Sequence, residues 1–93
     1  MSSVPIESIF VLSKDAIFRD LNGEAVILDL ASGAYFGLNP VGTRIWQLIE
    51  RHGRLQTVLD ALRQEYEVGP DELERDLLDL VSRLADAGLG EVK

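Results

Sequence analysis

Few residues of this chain have the types and spacing that catalysis requires. His52 is the only histidine, and it stands beside Gly53 at the end of a predicted helix. An exposed imidazole that interacts favourably with the helix C-terminus is the simplest interpretation of that position. No serine lies in a Gly-x-Ser-x-Gly context, and the absence of cysteine excludes disulfides, thiolate metal sites, iron–sulfur clusters and thiol catalysis. The sequence therefore argues against an enzyme.

A group of carboxylates near the C-terminus raises the question of metal binding or acid–base chemistry. Its members are Asp71, Glu72, Glu74, Asp76, Asp79 and Asp86. At helical spacing these side chains point in several directions around the axis, so a solvated helix face explains them more simply. The chain contains neither a calcium-loop pattern nor a glycine-rich phosphate loop. We therefore expect no metal and no cofactor.

Composition and charge restrict the partners. The chain has 93 residues, of which 46% are hydrophobic, as is typical of one folded domain. Nine Lys and Arg against sixteen Asp and Glu give a net charge of −7, which disfavours nucleic acids and anionic membranes as partners. There is no signal-type segment and no apolar stretch long enough to span a membrane. We accordingly expect a cytoplasmic protein.

Two turn signals in the first half of the chain predict a three-stranded antiparallel meander. Asn22-Gly23 is typical of a two-residue hairpin turn, because both residues tolerate positive φ. Ala31-Ser32-Gly33 predicts a three-residue turn with Gly33 in the left-handed conformation, which places Leu30 opposite Ala34.

This register gathers the apolar side chains on one face of the meander. The predicted buried face consists of Ile17, Leu21, Val26, Leu28, Leu30, Ala34, Phe36 and Leu38. The opposite face carries Phe18, Ile27 and Tyr35 among polar residues, and the apolar segment 9–12 is a candidate to cover it.

From Asn39 onwards the hydrophobic period changes from two to about 3.6 residues, which predicts helices. Asn39 is a candidate N-cap, and Pro40 suits the first position of a helix that stops at Gly53. A second helix follows over residues 55–66. Gly69-Pro70 begins a third helix, which ends where Gly88 supplies a left-handed cap and Leu89 folds back.

The order of three strands and three helices predicts an α+β domain over residues 16–90, preceded by an N-terminal segment, 1–15, with one candidate strand. Winged helix-turn-helix proteins contain the same kinds of element, so a DNA-binding regulator is one alternative. The third predicted helix, however, combines its six acids with only Arg75 and Arg83. Its surface would meet the phosphates with the wrong sign of charge, which disfavours DNA binding.

The predicted third strand, residues 34–38, pairs on one side only. Its free edge contains neither proline nor lysine, the residues that often protect such edges. Two interpretations remain open: another segment of the chain covers the edge, or a partner peptide adds a strand to it.

The run from Val26 to Asn39, together with Gly42-Thr43-Arg44-Ile45-Trp46, resembles the PqqD family. Similarity continues through Asp76-Leu77, Leu80, Leu84 and Ala87-Gly88-Leu89, so that it covers roughly residues 15–90. The resemblance implies a winged-helix-like fold with three strands before three helices. It also implies a non-catalytic recognition element for ribosomally made, post-translationally modified peptides.

The resemblance further implies that the leader segment of a precursor peptide binds as a fourth, antiparallel strand between the third strand and the third helix, and is presented to a processing enzyme. The expected peptide-binding residues are Ala34, Tyr35, Phe36, Gly37, Leu38, Asp76, Leu77, Leu80, Arg83 and Leu84. The sequence looks most like the small lasso-peptide recognition proteins, whose partners are a leader peptidase and a macrolactam-forming cyclase. A peptide chaperone of pyrroloquinoline quinone biosynthesis, with a radical enzyme as partner, is the alternative within the family.

Overall fold

The computed structural model describes residues 4–67 and 69–93. The strands are β1 (Phe10–Leu12), β2 (Ala16–Leu21), β3 (Glu24–Asp29), β4 (Tyr35–Leu38) and β5 (Gly90–Val92), and the helices are α1 (Pro40–His52), α2 (Leu55–Glu65) and α3 (Pro70–Asp86). The predicted α+β class and the order of three meander strands before three helices are confirmed by β2 to β4 and α1 to α3. Residues 1–3 of the expected N-terminal segment lie outside the described residues.

The first hairpin of the meander has the predicted register. β2 and β3 are antiparallel, with Leu21 opposite Glu24 and Ile17 opposite Leu28. Asn22 has a φ of 59° and Gly23 one of 87°, so both turn residues adopt the positive φ that this tight turn requires.

The second hairpin differs from the predicted one by a single residue. Asp29, not Leu30, lies opposite Ala34: the Asp29 N–H donates to the Ala34 carbonyl at 2.9 Å. The Asp29 carboxylate explains the shift, because it accepts hydrogen bonds from the Ala31 N–H (3.1 Å) and the Ser32 hydroxyl (2.8 Å). Because of these bonds, Leu30 belongs to a four-residue turn, residues 30–33. The turn ends at Gly33, whose φ of 76° is left-handed as predicted.

The predicted buried face is correct for β4 and wrong for β2 and β3. Phe36 and Leu38 of β4 face the core as expected, whereas Phe18 and Ile27 occupy the inner face of the other two strands. The residues expected to be buried there, Ile17, Leu21, Val26, Leu28 and Leu30, are instead half-buried or exposed, and Ala34, expected on the same face, is exposed. A register shift of one residue moves every side chain to the other face, and β3 is apolar on both faces, so its composition does not distinguish them.

β1 and β5 form a second, two-stranded antiparallel sheet. Phe10, in the segment expected to cover the face with Phe18 and Ile27, joins Ile27 in the hydrophobic core. Phe10 lies opposite Val92, and its side chain is 1% exposed. The chain reaches β5 through the predicted end of α3: Gly88 has a φ of 78°, and the Leu89 N–H donates to the Leu84 carbonyl at 2.9 Å. The strand β1, near the N-terminus, is thereby paired with the C-terminal strand β5.

The three helices enclose the core and set the position of β4. The Asn39 side chain accepts a hydrogen bond from the Gly42 N–H at 2.7 Å, which confirms the predicted N-cap and starts α1 immediately after β4. α1 packs against β3, β4, α2 and α3, with Trp46 buried and stacked on Phe18 at 6.2 Å. α3 packs against α1, α2 and β5, and it lies alongside β4, where the Arg83 guanidinium is over the Phe36 ring.

An ion pair between α1 and α2 makes stability sensitive to acid. Arg44 donates from Nε and Nη2 to the two Glu65 carboxylate oxygens at 2.7 and 2.8 Å, and these hydrogen bonds lower the pKa of Glu65. Because the pKa of Glu65 is lower in the folded than in the unfolded state, the ion pair stabilises the protein at pH values above the unfolded-state pKa. This stabilisation is lost as the pH falls through the folded-state pKa.

We expect Glu65→Gln to lower the free energy of unfolding by about 0.5 kcal/mol at neutral pH, because both partners are partly solvated. The difference from the wild type should shrink as the pH is lowered below about 4.5, the range in which an unpaired Glu becomes protonated. Thermal melts across this range measure the effect. Glu67→Gln removes the same charge from an exposed carboxylate beyond α2 and is the control; an equal effect of both variants would contradict a specific role for the ion pair.

Candidate functional site

A groove separates β4 from α3 and encloses a pocket of about 400 Å³. Its lining comes from the end of β4, the first turns of α1 and the middle of α3: Gly37, Leu38, Asn39, Val41, Gly42, Ile45, Asp76, Asp79, Leu80 and Arg83. Because Asn39 caps α1 directly after β4, the first turns of α1 lie next to the end of β4 and contribute Val41, Gly42 and Ile45 to the lining.

The groove combines an apolar floor with a charged rim. Leu38, Ile45 and Leu80 are each less than 10% exposed and contribute buried apolar surface. The rim on α3 includes Arg83, whose Nη1 lies 3.7 Å from an oxygen of Asp79 and whose guanidinium lies 5.4 Å from the centre of the Phe36 ring. Such a site suits an extended peptide with apolar side chains and some polar groups at its margins.

Backbone groups of β4 border the same groove. The hydrogen bond between Asp29 and Ala34 turns Ala34 toward β3, and the alternation of an antiparallel ladder turns Phe36 the same way. Tyr35 and Gly37 therefore direct their N–H and C=O groups to the free edge, in agreement with the predicted outward orientation. Within the part of the chain that the structure describes, no strand pairs with this edge.

The sequence-predicted binding residues divide into three groups in the structure. Those that line the groove are Gly37, Leu38, Asp76, Leu80 and Arg83, with Phe36 beneath the Arg83 guanidinium. Ala34 and Tyr35 are exposed at the start of the edge. Leu77 and Leu84 are fully buried in the core and offer no surface to the groove, so we leave them out of the contacts proposed below.

Five residues of the groove lining were not predicted from the sequence. They are Asn39, Val41, Gly42, Ile45 and Asp79. Asp79 lies three residues after Asp76 and four before Arg83, a helical spacing from which it could have been found. The other four belong to the cap and first turns of α1, and their place in the groove depends on how α1 packs beside α3, for which the sequence carries no local signal.

Other candidate features lie outside this groove. His52 ends α1, as expected from the sequence. Among residues 4–67 and 69–93, no three acidic or histidine side chains come together to hold a metal ion. No helix in these same ranges has the length and apolar character required to cross a membrane.

A free strand edge beside an apolar groove is the architecture of modules that bind an extended peptide by strand addition. Residues 24–89 match the family described as coenzyme PQQ synthesis protein D (PqqD), and the chain belongs to this family. The resemblance seen in the sequence is thereby confirmed.

Two solved structures are similar to this chain over nearly its whole length. TbiB1, in complex with the TbiA(beta) leader peptide, is 40% identical with a TM-score of 0.81, and the match covers 87% of this chain and 94% of TbiB1. A lasso peptide synthetase B1, complexed with the leader peptide, is 30% identical with a TM-score of 0.78, over 88% of this chain and 96% of that protein. The search of curated proteins gave no match.

Proposed function

We propose that this protein is a leader-peptide recognition element that binds the leader of a ribosomally made precursor as an additional antiparallel strand on β4. The observation that carries the proposal is the free edge of Tyr35 and Gly37 beside the groove against α3, in a chain similar throughout to two proteins with bound leader peptides. β2, the other edge strand, contributes no residue to this groove.

Two components of the site account for different parts of the binding. Hydrogen bonds to the backbone of Tyr35 and Gly37 would hold any extended segment, whatever its sequence. Alternate leader side chains would enter the groove, where Leu38, Ile45 and Leu80 select apolar residues. Specificity therefore arises mainly from the groove.

The proposed pathway is lasso-peptide biosynthesis, with a leader peptidase and a cyclase as the enzymes that receive the bound precursor. The similarity to two leader-binding proteins, one of them a lasso peptide synthetase B1, supports this assignment. The family description supports the alternative, a chaperone of pyrroloquinoline quinone biosynthesis. Pull-down of each type of enzyme in the presence of its own precursor peptide distinguishes the two pathways.

Titration with the precursor encoded beside this gene tests the proposal directly. A fluorescently labelled leader should bind saturably in an anisotropy measurement, whereas a scrambled leader of equal composition should not. Equal binding of both peptides, or binding of neither, would overturn the proposed function.

We expect Asp76→Ala and Arg83→Ala each to weaken leader binding by about 1 kcal/mol, roughly fivefold. Both side chains lie on the groove rim of α3, and both residues are exposed, so the melting temperature should hardly change. Arg75→Ala is the control because Arg75 is exposed on α3 and does not line the groove. Unaltered affinity in both rim variants, measured by anisotropy, would place the leader elsewhere.

We further propose that binding is the whole role of this chain and that the partner enzymes perform the chemistry. His52→Ala should then leave leader affinity and turnover of the reconstituted pathway within about twofold of the wild type, because an imidazole at the end of α1 is outside the groove. Product formation followed by mass spectrometry provides the measurement. Loss of turnover in a variant that folds and binds leader normally would indicate a catalytic histidine.

A further inference from the structure

Gly37 leaves a gap on the outer face of the sheet, opposite the groove. A Cβ placed on Gly37 would meet no atom within 4 Å, and its φ lies outside the left-handed region. The gap belongs to a cavity of about 370 Å³ near the end of the first hairpin. Its lining consists of Leu21, Glu24, Ala25, Val26, Gly37, Leu38 and Asn39.

Strand addition, on which this inference rests, would bring one leader side chain to the gap. Because the N–H and C=O of Gly37 point to the free edge, an added antiparallel strand forms a hydrogen-bonded pair between Gly37 and one leader residue. Side chains of directly opposite residues emerge on the same face of a sheet, about 5 Å apart at Cβ. The residue opposite Gly37 therefore projects to the outer face, while its two neighbours project into the groove.

The residues around Gly37 on the outer face determine which kind of leader side chain fits there. Val26 lies opposite Gly37 on β3 and is half-buried. On β2, Arg19 lies opposite Val26, and Leu21, diagonal to Val26 on the same face, is 61% exposed. Val26 is two strand spacings, roughly 10 Å, from the backbone of an added strand, so only a long side chain reaches it across the glycine. Tyr35, two residues away on the same face and 75% exposed, offers a diagonal aromatic contact.

We propose that Gly37 forms an outer-face subsite that receives an aromatic side chain of the leader, which lies flat across Gly37 against Val26. Aromatic residues cover glycines on neighbouring strands in the same way and stabilise the sheet edge. The leader would thus be recognised on both faces of the extended sheet, by apolar residues in the groove and by one aromatic residue outside it.

Selection from a phage-displayed library of random peptides tests this subsite and does not require the leader itself. Immobilised wild type, Gly37→Val and Gly37→Pro are used in parallel. Peptides from the wild type should share an aromatic residue at one position, enriched about threefold over the library, as expected for a favourable cross-strand pair. Gly37→Val fills the gap and retains the outward N–H and C=O, so its peptides should keep the groove-directed apolar pattern and lose the aromatic enrichment.

A second variant controls for the general loss or gain of apolar surface on this face. Leu30→Ala removes an exposed apolar side chain that does not line the cavity, and it should select the same aromatic pattern as the wild type. Absence of aromatic enrichment with the wild type, or its persistence with Gly37→Val, would overturn the subsite while strand addition stands. Failure to select any peptides, or selection of the same peptides by Gly37→Pro, would overturn the proposed function and the subsite together.

Discussion

Gly37→Pro is expected to bind the leader at least tenfold more weakly than the wild type, about 1.4 kcal/mol, and still to fold. Proline has no N–H, so this substitution removes one donor from the free edge of β4. The bonds between β4 and β3 remain, because they are made by the residues that alternate with Gly37. Anisotropy with labelled leader measures the affinity, and circular dichroism establishes that the variant is folded.

The neighbouring position provides the matched control. Phe36 lies opposite Ile27 and turns its N–H toward β3, so Phe36→Pro should cost fold stability as well as leader binding. Gly37→Ala keeps the outward donor and should lose less affinity than Gly37→Pro. Near-normal leader affinity of folded Gly37→Pro would show that the edge, its orientation or the binding mode is incorrect.

Gly90→Ala is expected to lower the free energy of unfolding by about 2 kcal/mol, as overpacking of a filled core does. A Cβ on Gly90 would lie 2.5 and 2.6 Å from two carbons of the Phe10 ring and 2.9 Å from the Val11 carbonyl oxygen. Phe10 is 1% exposed and belongs to the hydrophobic core, so its ring is held among packed side chains. Either the ring or β5 must move, and urea unfolding measures the cost.

Gly37→Ala is again a useful comparison, since its new methyl group meets nothing within 4 Å. It should change stability by less than about 0.5 kcal/mol, as substitutions at open surface positions do. Leader affinity of folded Gly90→Ala should equal that of the wild type, because Gly90 does not line the groove. A neutral Gly90→Ala variant would contradict the close packing of β5 on Phe10.

Those parts of the fold that depend on neighbours in sequence could be predicted. Asn22-Gly23 defined the first hairpin, and Asn39-Pro40 located the start of α1, because each signal acts through its own backbone conformation or cap. The pairing of β1 with β5 could not be predicted, since it joins residues at opposite ends of the chain. The second hairpin was misplaced by one residue because the Asp29 side chain, rather than backbone preference, sets the length of its turn.

In the candidate site, too, features set by residues close in sequence could be predicted, and contacts between distant elements could not. The outward orientation of Tyr35 and Gly37 was predicted despite the register error, because it was counted along β4 from Ala34. The contribution of α1 to the groove was not predicted, since it depends on how Ile45 and Val41 pack beside α3. Leu77 and Leu84 were expected to contact the peptide, yet helical spacing alone does not separate the leucines that fill the core from Leu80 at its margin.

The β1–β5 pair also determines how this domain can be connected to other proteins. The Lys93 N–H donates to the Ile9 carbonyl at 2.8 Å, so residue 93 lies beside β1, whereas residues 4–8 continue along the core, in which Val4 is buried. A partner protein attached after Lys93 would therefore emerge on the side of the domain that carries the β1–β5 pair, without disturbing the buried residues before Ile9. Since Lys93 does not line the groove, a fusion made there would leave the peptide site open and raise the local concentration of a bound precursor at the attached enzyme.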